Sequence, residues 1–276
     1  MSRNGQFWND KVVLITGGSS GIGLAVARLL AQQGTRLWLL ARDPAKLEVA
    51  RQELVSSGAR FCGTLAVDVT DPVKVASAAE KVKQETGVPN VLVNSAGIVE
   101  PGYIQDLSLE VFKQTVDINY LGTVSVIKAF LPEMMQRESG QVVVISSAVG
   151  YLGVVGYTAY SSSKYALRGF AEALRSEMRY YGIRVSIVYP PDTDTPQLAY
   201  DRSFVIPEVD ILRILDGKAS PVEVARSILR GIERQQFLIL PLFSNRFFYH
   251  LVSLLDTSSY FIVDWLSDMG RKRSGK

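Results

Sequence analysis

The chain has one cysteine and one histidine in 276 residues. Cys62 has no second thiol with which to form an internal disulfide, and with His250 the only imidazole, the ligand sets that hold zinc or an iron–sulfur cluster are missing. Charge of one sign is also lacking. Thirty Lys and Arg residues stand against 27 Asp and Glu, a net of +3, with no clustered basic face to suggest nucleic acid. No apolar run approaches the ~20 residues that span a bilayer, and the opening "MSRNGQFWNDK" lacks the apolar stretch of a secretory signal. Linkers rich in Ser, Gly or Pro, low-complexity tracts and repeats are not found. With 47% hydrophobic residues, the chain has material for one large domain over 1–276. The expectation is a cytoplasmic protein that uses neither a metal nor a Cys–His pair and binds no nucleic acid.

What is present is an alternation of two periodicities. "KVVLIT" (Lys11 to Thr16), "RLWLLA" (Arg36 to Ala41), "RFCGTLAVD" (Arg60 to Asp68), "NVLVN" (Asn90 to Asn94), "QVVVIS" (Gln141 to Ser146) and "IRVSIVYP" (Ile183 to Pro190) read as strands buried on both faces, with "QFLILP" as a seventh. Between them run helical patterns, among them one continuous segment from Leu109 to Gln136 and another opening at Tyr160. Repeated βαβ units predict a Rossmann-like, doubly wound parallel α/β sheet of about seven strands with helices on both faces.

Ligands of such sheets bind beyond the carboxyl ends of the strands. After the first strand comes "TGGSSGIG", in which Gly17, Gly21 and Gly23 can supply a tight turn, close backbone approach to a pyrophosphate and close packing of helix on strand. Its spacing, G-x-x-x-G-x-G, differs from the commoner G-x-G-x-x-G. "NSAG" follows the fourth strand, "INYLG" places Asn119 in a long helix, Ser147 ends the fifth strand, and "YSSSK" carries Tyr160 and Lys164. The last two are four apart and share a helical face, so an ammonium there lowers a phenol pKa from ~10 toward neutral. In carbonyl reduction Tyr160 then protonates the oxygen while Ser147 hydrogen-bonds it. An exposed helical pair is the competing reading of Tyr160 and Lys164.

These motifs, in this order from Lys11 to Pro196, resemble the short-chain dehydrogenase/reductase family, with Ser95 in place of the more usual asparagine. The resemblance implies that Lys164 also binds the nicotinamide ribose and that Asn119 anchors a water-linked proton relay. It further implies a cofactor set of Ser19, Ser20 and Ile22 with the three glycines, Asp68 and Val69 after the third strand, Asn94, Ala96 and Gly97 after the fourth, and Pro190, Thr193 and Thr195 after the sixth. Asp68 resembles the family's adenine-contacting acid and is nearly as readable as a turn residue before the helix at Pro72. A homodimer or homotetramer through the helices bearing Asn119 and Tyr160 is implied as well.

The second strand ends in "LLARDPAKL", where Arg42 and Lys46 can converge on a 2′-phosphate and Asp43 can cap the helix at Pro44 or serve a ribose hydroxyl. The favoured cofactor is NADPH. "VYPPDTDTPQ" keeps Pro190 and Thr195 of the family pattern but has Pro191 where glycine is usual, and resembles a narrower branch, the 3-ketodihydrosphingosine reductases. That branch implies NADPH-dependent reduction of a long-chain keto amino alcohol in sphingolipid biosynthesis, with Asp192 or Asp194 attracting the ammonium or capping a helix. Reduction of a steroid, retinoid or fatty-acyl ketone is the alternative, and a non-catalytic NADPH sensor a third. Residues 237–276, aromatic and ending in Arg271, Lys272, Arg273 and Lys276, can cover a substrate channel, lie on a membrane surface or meet a subunit. Eukaryotic members of the branch sit in the endoplasmic reticulum membrane; this sequence reads as a soluble or peripheral form, on the cytosolic face if eukaryotic.

Overall fold

The computed structural model describes residues 7–209 and 217–273. Its strands are β1 (Val12–Thr16), β2 (Arg36–Ala41), β3 (Phe61–Ala66), β4 (Val91–Asn94), β5 (Gly140–Ile145), β6 (Ile183–Val188), β7 (Asp192–Thr193), β8 (Lys218–Ala219) and β9 (Leu238–Ile239). Seven of them form one sheet in the order β3-β2-β1-β4-β5-β6-β9, every neighbouring pair parallel. β7 and β8 pair separately as a two-stranded parallel ribbon that the sequence reading did not foresee.

The strands alternate sides residue by residue, as a pleated strand must. Val13, Ile15, Leu37 and Leu39 pack under α1 (Gly21–Ala31), α2 (Pro44–Ser56) and α8 (Pro221–Glu233). Val12, Leu14, Trp38 and Leu40 face α3 (Pro72–Thr86), α5 (Gly122–Gln136) and α6 (Thr158–Met178). Both faces of the central strands are therefore buried, which is why they read as unbroken apolar runs. β3 is the exception: it is an edge strand, and its residues are mostly half-exposed. Several helix starts are locally encoded. Asp43 and Asp71 each accept two backbone N–H groups ahead of a proline at the first helical position, and Ser220 with Glu223 forms a reciprocal capping box.

The continuous helix expected from Leu109 to Gln136 is broken. α4 (Leu109–Val116) passes into a π-helical turn, Asp117–Leu121, before α5 begins. The wider turn carries Asn119, fully buried, whose amide bonds the backbone of Ile98 on the neighbouring loop. Immediately after it, Gly122 lies so close to Val69 that a Cβ there would stand 2.5 Å from the Val69 Cγ2.

The C-terminal region forms two helices, α9 (Phe243–Leu255) and α10 (Ser258–Arg273). Tyr249 packs its ring against Tyr151 and Tyr189, and Val263 and Leu266 join the core. Phe243, Phe247, Leu254, Phe261 and Trp265 face solvent. No described helix is long and apolar enough to cross a membrane. Of the terminal cations, Arg271 and Lys272 are exposed, and Lys276 lies outside the described residues.

The glycine turn supplies a stability test. A Cβ at Gly23 would stand 2.5 Å from the Gly17 carbonyl oxygen. Gly23→Ala is expected to destabilise the protein by about 1–3 kcal/mol through forced backbone displacement. An unchanged urea midpoint would show that the turn absorbs the methyl group.

Candidate active site

Parallel register fixes where the site lies. Leu40, Thr16, Asn94 and Val144 stand in one row across the sheet, so the segments that follow them emerge along a single edge. There they border an open cleft of about 1370 Å³, mouth included, lined by Gly17, Ser20–Ile22, Ser95–Gly97, Ser147, Tyr160, Lys164 and the Pro190–Thr193 loop. Two loops are tied together at its floor: the Thr16 hydroxyl oxygen accepts the N–H groups of Ser95 and Ala96, both at 3.0 Å.

Tyr160 and Lys164 lie in the first turns of α6, both buried, so they are not an exposed helical pair. The Lys164 Nζ donates to the Ile145 carbonyl at 3.0 Å and sits 5.5 Å from the centre of the Tyr160 ring. Burial pulls the lysine down to about 8. Burial pushes the Tyr160 phenol up to about 12, against the opposing pull of hydrogen bonds from Ser147 and Gln197 and with the charges of Asp201 and Asp192 adding to the rise. The sequence expectation of a phenol lowered by its lysine is thus reversed. Desolvation dominates because the ammonium is directed to a backbone carbonyl rather than to the phenolic oxygen.

Asn119 is held from three directions: its Oδ1 accepts from the Ile98 N–H at 2.8 Å, and its Nδ2 donates to the Ile98 carbonyl and to Ser163 Oγ at 3.0 and 2.9 Å. A Cβ on Gly97 would stand 3.0 Å from this Oδ1 and 3.5 Å from the Lys164 Nζ. Asn119 and Lys164 therefore flank the same point of the β4 loop, which explains the glycine there.

The first turn fits a dinucleotide phosphate. Gly17 and Gly21 have φ of +66° and +54°, and a Cβ on Gly17 would collide with the Ser95 carbonyl at 2.9 Å. Ser20 precedes α1 but its hydroxyl makes no capping bond, so the first-turn N–H groups of Gly21 and Ile22 stand at the cleft without that partner. Ser19 belongs to the same turn but does not line the cleft, and Asn94 is buried at the end of β4 with an Oδ1 that has no partner among the described residues.

Farther along the edge, Asp43 caps α2, accepting from the N–H groups of Ala45 and Lys46 at 2.9 and 3.1 Å. Arg42 beside it is exposed with no partner among the described residues, while Lys46 lies 3.9 Å from Asp43. Asp68 adopts the turn role, its Oδ1 accepting from the N–H and hydroxyl of Thr70 at 3.0 and 2.8 Å. Val69 is buried against Gly122 and does not line the cleft.

In the proline loop neither Asp192 nor Asp194 caps the following helix. Thr195 caps α7 (Pro196–Asp201), accepting the Leu198 N–H at 3.2 Å. Asp192 lines the cleft and pairs with Arg202 at 3.1 Å. Asp194 does not line it: its side chain is 70% exposed and lies 3.6 Å from Lys218. β7 ends at Thr193, and Asp194, in the bend that follows, lies outside its alternation and turns to Lys218.

Sequence reading missed three polar residues of this wall: Tyr157, Gln197 and Asp201. The Tyr157 hydroxyl donates to Asp201 Oδ1 at 2.7 Å. Two further tyrosines bind carboxylates across the rim, Tyr200 to Glu100 at 2.8 Å and Tyr103 to Glu208 at 3.0 Å. The apolar side of the cleft includes Val149, Leu152, Val154 and, from α9, Phe248. His250 is exposed, its ring edge-on to Tyr249 and outside the cleft. Cys62 is half-buried on β3, and burial pushes its thiol up to about 11, which leaves it unreactive.

The depressed lysine has a direct test. In protein carrying 13C-labelled lysine, one Cε resonance, absent from Lys164→Met, is expected to titrate near 8. Since the unfolded chain holds this proton up to ~10.5, stability from this group rises as pH climbs from 8 toward that value. A Lys164 midpoint among the bulk lysines would show that the amine is hydrated.

A family model for short chain dehydrogenases matches residues 11–204. The chain is 36% identical over 233 residues to the 3-dehydrosphinganine reductase of Danio rerio, covering 83% of this chain and 70% of that protein. It is 38% identical over 229 residues to the 3-ketodihydrosphingosine reductase of Bos taurus, with coverage of 82% and 69%. To dehydrogenase/reductase SDR family member 7B of Bos taurus it is 35% identical over 237 residues, with coverage of 82% and 72%. The crystal structure of the apo form of LigD from Sphingobium sp. strain SYK-6 matches with a TM-score of 0.76 and 25% identity, covering 90% of this chain and 97% of that one. The chain belongs to the short-chain dehydrogenase family and is an oxidoreductase of ketone–alcohol pairs, served by the nicotinamide cofactors that family uses.

Proposed function

We propose that the protein reduces 3-ketodihydrosphingosine to dihydrosphingosine with NADPH. The observation that carries the reading is the hydrogen bond of half-buried Ser147 to Tyr160, itself buried beside Lys164, in a cleft with a glycine turn at one side and an apolar wall at the other. The two relatives named for this ketone support the substrate.

When bound, the reduced nicotinamide supplies a hydride to the carbonyl carbon. Tyr160 gives its phenolic proton to the carbonyl oxygen, which becomes the alcohol, and Ser147 donates a hydrogen bond to that oxygen as charge develops on it. A phenol pushed up to about 12 is fully protonated at neutral pH, the form that reduction needs. Lys164, on the same face of α6, binds the ribose and stabilises the tyrosinate left behind; Asn119, across Gly97 from it, anchors the path by which the proton is restored. Gly17, Gly21 and the first turn of α1 hold the pyrophosphate. Arg42 takes the 2′-phosphate of NADPH, a role open to it because Asp43 is engaged in capping α2. The alkyl chain lies along Leu152, Val154 and Phe248.

A second reading, reduction of another lipid-like ketone, is favoured by the similarity to SDR family member 7B, whose name specifies no substrate. Incubation with 3-ketodihydrosphingosine and NADPH, with product followed by mass spectrometry, separates the two: turnover supports the first, and turnover only of other ketones supports the second. Tyr160→Phe is expected to lower turnover by about a hundredfold or more while leaving NADPH binding intact, and near-normal rates would overturn its role. Arg42→Ala is expected to weaken NADPH by about tenfold and NADH by less than about twofold. Equal weakening of both would remove Arg42 from the phosphate site.

A further inference from the structure

Ser163 is fully buried in the first turns of α6 and does not line the cleft. Its hydroxyl nevertheless stands in the middle of one hydrogen-bond chain. The Ile98 N–H donates to Asn119 Oδ1 at 2.8 Å, Asn119 Nδ2 donates to Ser163 Oγ at 2.9 Å, and Ser163 Oγ donates to the Tyr160 carbonyl oxygen at 2.7 Å. The chain runs from the loop after β4, through the π-helical turn, to the backbone of the residue that carries the transferable proton. The other two serines of "YSSSK" stand apart from it. Ser162 is exposed and bonds the Thr158 carbonyl, and the buried hydroxyl of Ser161 has no partner among the described residues.

Of the three bonds that hold the Asn119 side chain, two go to the backbone of Ile98. These fix which way the amide faces, but they tie it only to the β4 loop. The bond to Ser163 is the one that reaches α6. A hydroxyl has a single hydrogen, and Ser163 places it on the Tyr160 carbonyl, so it meets Asn119 as an acceptor. A methyl group at this position would leave one Nδ2 hydrogen of a fully buried amide without a partner. A Cβ on Gly97 would lie 3.0 Å from Asn119 Oδ1 and 3.5 Å from Lys164 Nζ. Any shift of Asn119 against α6 therefore changes the spacing of two groups that serve the same proton.

Resting on the reading that Asn119 anchors the path by which Tyr160 regains its proton, we propose that Ser163 is a positioning residue of that path. By accepting from Asn119 and donating to the Tyr160 carbonyl, it holds the π-helical turn and α6 in register and keeps return of the proton fast. The reduction itself is unaltered: hydride goes to the carbonyl carbon, the phenolic proton goes to the oxygen, and a proton from solvent replaces it on Tyr160.

The test compares wild type, Ser163→Ala and Asn119→Ala on the ketone that wild type reduces fastest with NADPH. Ser163→Ala is expected to lower kcat by about tenfold, the size of one hydrogen bond to a buried polar group, with KM for ketone and NADPH changed by less than about twofold. Slow return of the proton then limits turnover. Its kcat is expected to fall further in deuterium oxide than that of wild type, and to recover with added imidazole buffer, whose imidazolium can deliver the proton. An unchanged kcat in Ser163→Ala overturns the proposal. So does a slowed Ser163→Ala protein that responds to deuterium oxide and imidazole as wild type does, the behaviour of a residue that only supports packing. If Asn119→Ala shows neither response, the relay reading itself fails and this assignment falls with it; if Asn119→Ala shows both and Ser163→Ala neither, this assignment alone fails. Should Ser163→Ala not fold, Ser163→Cys asks the same question. Its thiol is a weaker hydrogen-bond partner, so both responses are expected at intermediate size, and wild-type behaviour would overturn the proposal.

Discussion

The parallel alignment of the seven strands is the constraint on which the rest depends. Because each strand runs the same way and each return passes through a helix, every segment leaving a carboxyl end opens on the same edge. Residues as distant in sequence as Gly17, Gly97, Ser147 and Pro190 then border one cleft. The hydrogen bonds of Thr16 to the Ser95 and Ala96 N–H groups make that convergence rigid, and the π-helical turn at Asn119 ties the next layer to it through Ile98.

Within that frame the site is governed by desolvation. Lys164 is displaced from its ordinary 10.5 to about 8, and at about 1.4 kcal/mol per pK unit the burial of its charge costs about 3 kcal/mol. The single bond to the Ile145 carbonyl does not offset it. The same burial keeps the proton on Tyr160. The cleft thus holds a protonated phenol beside a readily neutralised amine, and negative charge near that amine favours its charged form.

The sheet was legible because buried parallel strands appear as continuous apolar runs, and the motifs at their ends are local in sequence. The caps were legible for the same reason: Asp43 before Pro44 states its role within four residues. The orientation of Asp192 inward and Asp194 outward was not, because it depends on where a two-residue strand ends and on Lys218, far along the chain, which pairs with Asp194. Asp201 and Tyr157 were missed on similar grounds, since neither belongs to a spaced motif and their contact spans 44 positions. The π-helical turn leaves no mark in helical periodicity, and the titration of Tyr160 depends on burial, which no spacing of tyrosine and lysine discloses.

The two C-terminal helices serve two structures at once. Phe248 is part of the cleft, while the next residue, Tyr249, closes over Tyr151 and Tyr189, the latter 1% exposed. One turn of helix is shared between the ligand chamber and the hydrophobic core. Evolution therefore cannot reshape the chamber here for a bulkier ligand without loosening the core, and it cannot trim the tail without opening both. Adaptation to new substrates has freer scope where exposed Tyr200 meets half-buried Glu100 and the sheet packing is not at stake.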